Sequence, residues 1–208
     1  MTTKEKMFLE SKAWAMEKLS LDKTYFERLS NVRSPDILWI GSVDSTVPFR
    51  EVINADPGEI VVYRNLGVQI REDDISLMAT IQEAVEVSKV EYIVVCGYSH
   101  CSGIRDIISE NDDRPFVKTW LEDLRELYEN NMYKFKDLDF EQRTKYLCEL
   151  NIRAQIIKLS QLEVIQKAWD NGDYPILLGL YFDLPTGALK EIFSMETNFK
   201  LKQVASVV

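Results

Sequence analysis

Histidine and cysteine are scarce in this chain of 208 residues. There is one histidine, His100, and there are three cysteines, Cys96, Cys101 and Cys148. An odd number of cysteines with no framework spacing excludes a disulfide scaffold and suits a reducing cytoplasm, the expected location. Positive charge is also in short supply. A net charge of −9 and the lack of any Lys/Arg run argue against a nucleic-acid or anionic-membrane surface. No run approaches the ~18 apolar residues of a membrane span. The opening Met1-Thr2-Thr3-Lys4-Glu5-Lys6 leads into an amphipathic stretch, not the apolar segment of a secretory leader. Internal repeats and low-complexity segments are absent. What remains is ordinary for a packed protein: 46% hydrophobic, 11% aromatic and 28% charged residues.

The chain is organised around residues 37–104. Two apolar strand-like runs, Ile37-Leu38-Trp39-Ile40 and Tyr92-Ile93-Val94-Val95, each lead into a polar segment. The first segment is Gly41-Ser42-Val43-Asp44-Ser45-Thr46-Val47-Pro48. The second is Cys96-Gly97-Tyr98-Ser99-His100-Cys101-Ser102-Gly103. In an open parallel sheet, loops leaving the carboxyl ends of neighbouring strands meet in one crevice. Ser42, Asp44, Tyr98, His100 and Cys101 are therefore candidates for a single site.

Helical spacing predicts an N-terminal helix over 3–19 and a short one over 22–30. Ile60-Val61-Val62-Tyr63 reads as a buried parallel strand after the Pro57-Gly58 turn. Asp73 and Asp74 are placed to cap a helix over 75–88, and a strand over 91–96 completes a β-α-β unit. Gly103 is expected to open a helix over about 104–109. One amphipathic helix is expected over 116–129, and a long one over 140–170 with a break near Ser160. The segment 130–139 carries no clear pattern. Asn171-Gly172 should stop the long helix, with a fourth core strand at Ile176–Phe182. The tail, with Phe193, Phe199, Leu201 and Val204, reads as a strand pair at the sheet edge.

The order Gly-X-X-Asp-Ser-X-Val-Pro, then Pro57-Gly58-Glu59 with Tyr63-Arg64-Asn65, then Cys-Gly-X-Ser-X-Cys-X-Gly, resembles the β-class carbonic anhydrases. Asp183-Leu184-Pro185-Thr186-Gly187 is similar to that family's closing segment. The resemblance covers 37–108 and 149–190. It implies one α/β domain, with a parallel core sheet flanked by helices. The chain then divides into a helical arm (1–34), core (35–110 and 149–190), a helical insertion (111–148) and a C-terminal extension (191–208). It also implies sites shared across a dimer interface, with Phe8 and Trp14 of the arm as contacts. A homodimer or higher even oligomer is the expected state.

The resemblance stops at the chemistry. The family's Cys-X-Asp-X-Arg is Ser42-Val43-Asp44-Ser45-Thr46 here, and its His-X-X-Cys is Tyr98-Ser99-His100-Cys101. Of the three implied zinc ligands only Cys101 remains, and of the Asp–Arg pair only Asp44. Arg50 or Arg64 is expected to replace the missing arginine, and an Asp so paired stays ionised. Alternatively Asp44 caps the segment beginning at Ser45. His100 is either a general base or a solvated side chain. Cys101 is either a nucleophile activated by a helix N-terminus or a buried relic thiol. Cys96 reads as core, and Cys148 as core or surface. Ser42, Tyr98, Arg64 and Gly103 would line a small-molecule site if one is retained. No zinc or other cofactor is expected. Three functions follow in order: a binding, regulatory or assembly protein without CO2 hydration; an enzyme with different, metal-independent chemistry using Asp44, Tyr98, His100 and Cys101; or a weak hydratase with substitute zinc ligands.

Overall fold

A computed structural model describes residues 1–30, 34–110, 113–172 and 174–196. Helices α1 (Thr3–Leu21) and α2 (Tyr25–Ser30) precede strand β1 (Ile37–Ser42). Next come α3 (Phe49–Val52), β2 (Ile60–Asn65) and α4 (Ile75–Gln82), the last continued by one π-helical segment, Glu83–Ser88. Strand β3 (Tyr92–Tyr98) leads into α5 (Ser102–Ser109), α6 (Pro115–Trp120) and α7 (Glu122–Asn130). A 3-10 turn at Met132–Phe135 fills the segment without sequence pattern. Helices α8 (Phe140–Gln161) and α9 (Glu163–Asp170), then β4 (Ile176–Asp183) and β5 (Ala188–Met195), complete the described chain. No described helix is long and apolar enough to cross a membrane.

The sheet runs β2-β1-β3-β4-β5, parallel except for the antiparallel last pair. From β1 the chain moves outward to β2, then crosses back to lay β3 on the other side of β1. That reversal puts a switch point between the carboxyl ends of β1 and β3. Alternate strand residues feed two cores. Trp39, Val94, Cys96 and Leu180 pack under α5, α7 and the first half of α8. Leu38, Ile40, Ile93, Val95 and Leu177 pack under α4, α9 and the end of α8. Helix α8 comes so close to the sheet that side chains on two strands must vanish. A Cβ on Gly97 would meet Cys148 Sγ at 2.5 Å, and one on Gly179 would meet Ile152 Cγ2 at 2.6 Å.

Three expectations need correction. Strand β2 is not buried: it lies at the sheet edge, only Asn65 along it is buried, and Val61 and Val62 are exposed. The 116–129 helix is two helices, broken at Leu121, which is buried against Gly67 and Gly103. The edge pair in the tail is one described strand, β5, on β4; Phe199, Leu201 and Val204 lie outside the described residues.

Candidate functional site

The two loops meet at the switch point. Ser42 ends β1, and Ser45 N–H donates to the Ser42 carbonyl, turning the chain so that Asp44 faces back over the strand. Tyr98 ends β3, and Cys101 sits at the N-cap of α5. Ser42, Tyr98 and Cys101 are all buried, and Asp44 is part-exposed. Ser42 Oγ lies 3.5 Å from Cys101 Sγ.

Asp44 is the hub. Ser42 Oγ–H donates to Oδ1 at 2.5 Å, and the Ser102 backbone N–H donates to Oδ2 at 2.7 Å. The Tyr98 phenol lies against the same carboxylate. Burial pushes the Asp44 carboxyl up, but the bonds from Ser102 and Ser42, with Tyr98 beside them, outweigh it. The carboxyl ends below its ordinary range. Tyr98 is displaced the other way: burial, then the Asp44 charge, pushes its phenol far above the ordinary value. It stays protonated at neutral pH.

Neither arginine fills the expected role. Arg64 Nη1 donates to the Ser45 carbonyl at 2.6 Å, and its guanidinium stacks 5.0 Å from the Phe49 ring centroid. Among the described residues no salt bridge joins Asp44 to Arg50 or Arg64. Two serine-derived donors stand where the charge was expected. Arg64 braces the 45–49 loop and lines the groove beside Phe49 and Val62, not the switch-point crevice.

Burial pushes the Cys101 thiol up to about 11, outweighing the α5 terminus, whose Gly103 and Ile104 N–H groups favour the thiolate. His100, next in sequence, is exposed. Its Nδ1 lies 3.0 Å from Ser99 Oγ, which also accepts from Leu184 N–H. No described hydrogen bond joins His100 to Asp44 or Cys101, so the structure brings together Ser42, Asp44, Tyr98 and Cys101 and leaves His100 outside. Gly103 does not open the helix, which begins at Ser102. It lets α5 abut the Gly67 turn, where an added Cβ would meet Gly67 Cα at 3.1 Å. Cys96 and Cys148 are both buried.

Two features had no counterpart in the sequence reading. One is the Ser102 main-chain donor, which carries no side-chain signature. The other is a buried amide network behind the site. Gln69 Nε2 donates to the Gly67 carbonyl and to Asn151 Oδ1, Asn151 Nδ2 donates to the same carbonyl, and Gln155 Oε1 accepts from Ile70 N–H. It holds a turn in which Gly67 and Val68 both take positive φ, 73° and 55°. For β-branched Val68 that conformation is strained, and buried, satisfied partners are what over-determine it. Two Asn/Gln pairs spaced four residues apart, Asn65 with Gln69 and Asn151 with Gln155, were the available signal.

Comparison with known proteins agrees with this architecture. Residues 37–189 match the family model described as carbonic anhydrase. A carbonic anhydrase of Emericella nidulans is 31% identical over 191 residues, 91% of this chain and 83% of that protein. A tetrameric β-carbonic anhydrase of Sordaria macrospora superposes with a TM-score of 0.87 at 29% identity, covering 93% of this chain and 99% of that one. The Coccomyxa β-carbonic anhydrase, solved with acetazolamide, gives 0.85 at 26% identity over 94% and 89%. Sheet order, the switch-point loops and the matched span agree: this chain belongs to the carbonic anhydrase family, in its β class.

Proposed function

We propose that this chain does not perform zinc-dependent CO2 hydration and serves as a binding, regulatory or assembly protein built on the β-carbonic anhydrase fold. The observation that carries the reading is the state of the donors at the three family zinc positions. A zinc site needs thiolate, imidazole or carboxylate donors, and a catalytic one keeps a position open. Ser42 offers a hydroxyl already committed to Asp44, Tyr98 a phenol held protonated, and Cys101 a buried thiol pushed up to about 11. Asp44, the remaining anion, accepts a hydrogen bond on each oxygen. These residues do not fit zinc. Among the described residues no group of three His, Cys, Asp or Glu side chains is placed to hold a metal.

The other two readings draw less support. Nucleophilic chemistry needs an accessible, ionisable Cys101 beside a base, and here the thiol is buried while His100 points elsewhere. Substitute zinc ligation would recruit His100, which lies outside the cluster.

Assembly has its own support. Helix α1 is closed by a Thr2/Glu5 capping box but buries no residue. Met7, Phe8, Leu9, Met16, Leu19 and Leu21 are all exposed. A 19-residue helix with no buried face is marginal in water, since tertiary packing supplies most helical stability. Between α1 and the bare edge of β2 lies a groove of about 890 Å³ lined by Trp14, Tyr25, Phe49 and Val62. A second copy of the chain covers both, forming a homodimer or higher even oligomer.

Stopped-flow CO2 hydration, without and with added zinc, tests the catalytic half. The expected rate is that of buffer alone. A saturable rate that scales with protein concentration and is lost on Cys101→Ala contradicts the reading.

A further inference from the structure

Helix α5 begins without a side-chain cap of its own. Its N-cap residue, Cys101, makes no capping bond. Exposed or buried, the first N–H groups of a helix need acceptors, and a helix N-terminus favours an anion. The acceptor comes instead from a different strand loop: Asp44 Oδ2 takes the Ser102 N–H at 2.7 Å, across 58 residues of sequence. Its other oxygen takes the Ser42 hydroxyl, and the buried Tyr98 phenol lies against the same carboxylate.

We infer that Asp44 is a structural cross-link, an N-cap supplied in trans, which ties the ends of β1 and β3 to the first turn of α5 and closes the crevice without a metal. The inference rests on the reading that no zinc occupies these positions, and it goes further: it assigns the carboxylate a positive role. Each oxygen already accepts a donor from within the chain, which makes that role structural. The β1 loop is 58 residues from the start of α5, whereas β3 leads directly into it. The β1–β3 ladder, the Cys101 N–H bond to the Tyr98 carbonyl, the close approach of Gly103 to Gly67 and the Ser42–Cys101 contact hold the same corner. Losing the carboxylate therefore frees the start of α5 before it disturbs the sheet.

Amide hydrogen exchange on the full chain, read at Ser102 and at interior α5 amides such as Ile107, is the test, with melting temperature alongside. In the unmodified protein Ser102 should exchange as slowly as the helix interior, although a first-turn amide without an acceptor exchanges freely. Asp44→Ala should speed Ser102 exchange by about tenfold or more while leaving β3 amides protected, and lower the melting temperature by about 4–10 °C. Asp44→Asn, which keeps one acceptor oxygen but no charge, should fall between. Unprotected Ser102 in the unmodified chain, or Asp44→Ala with unchanged Ser102 exchange and melting, overturns the cross-link. If Asp44→Ala does not fold, Ser42→Ala and the unmodified protein decide the matter by the same amide: unchanged slow Ser102 exchange in both supports it, free exchange in the unmodified chain overturns it. Metal content measured on the same samples reports separately on the zinc-free reading, so the two ideas fail by different signals.

Discussion

The crevice and the N-terminal arm are opposites. At the crevice, Ser42, Tyr98 and Cys101 are buried, and Asp44 spends both oxygens on neighbours. In the arm, a helix of 19 residues buries nothing, and Phe8 is 69% exposed. One region is complete within a single chain; the other is not. In an enzyme of this architecture the crevice would be expected to hold unspent donors. The contrast teaches that the described residues leave apolar surface uncovered at the arm and the β2 edge, while the strand ends are packed.

The largest expected effect tests the incomplete region. Deleting residues 1–30 removes the apolar helix and its aromatic cluster of Trp14, Tyr25 and Phe26. It should weaken self-association by about 100-fold or more, consistent with loss of ~3 kcal/mol of apolar burial. Sedimentation velocity across a concentration series reads this. A single 24.2 kDa species for the intact chain at tens of micromolar would break the comparison from that side.

A second change converts the complete region into an open one. Ser42→Cys with Tyr98→His supplies a thiolate and an imidazole beside Cys101. The double variant should take up about one zinc per chain, because three such donors suffice for a tetrahedral site. Ser42 Oγ and Cys101 Sγ, 3.5 Å apart, already have the separation of two ligands on one metal. Zinc uptake no greater than that of the unmodified chain would mean the crevice backbone is not arranged as described.

Thiol reactivity sharpens the contrast at smaller scale. With its thiol pushed up to about 11 by burial, Cys101 stays a thiol at pH 8. Cys96 and Cys148 are pushed up by burial as well. A disulfide reagent should titrate almost no thiol in the native protein and all three in guanidinium. Rapid native labelling of Cys101 would restore the nucleophile reading. The smallest effect is expected at His100→Ala. Its side chain is exposed and, among the described residues, its hydrogen-bond partner is Ser99, so stability should change by no more than ~0.5 kcal/mol in denaturant melts.

The fold was readable because its signals are local and redundant: β-branched runs at β1 and β3, Gly41 and Gly97 at close approaches, and turn residues at Pro57-Gly58. Strand β2 misled because Ile60-Val61-Val62 has the same composition whether a neighbouring element or a second subunit covers it. The break at Leu121 left the helical pattern intact, since a buried leucine suits a helix and a helix junction alike. At the site, residue types identified who would meet but not how. Loss of the arginine at Thr46 pointed to a replacement cation, yet the replacement is a backbone N–H, which every residue but proline carries. Adjacent His100 and Cys101 point apart, as neighbouring residues usually do, one to solvent and the other to the core.

The central claim, a metal-free crevice, is tested most directly by the zinc content of untagged protein. It is measured by mass spectrometry as isolated and again after equilibration with zinc and removal of excess. The account predicts far less than one zinc per chain in both samples, unchanged by Cys101→Ala. Near-stoichiometric zinc that disappears in Cys101→Ala would contradict it.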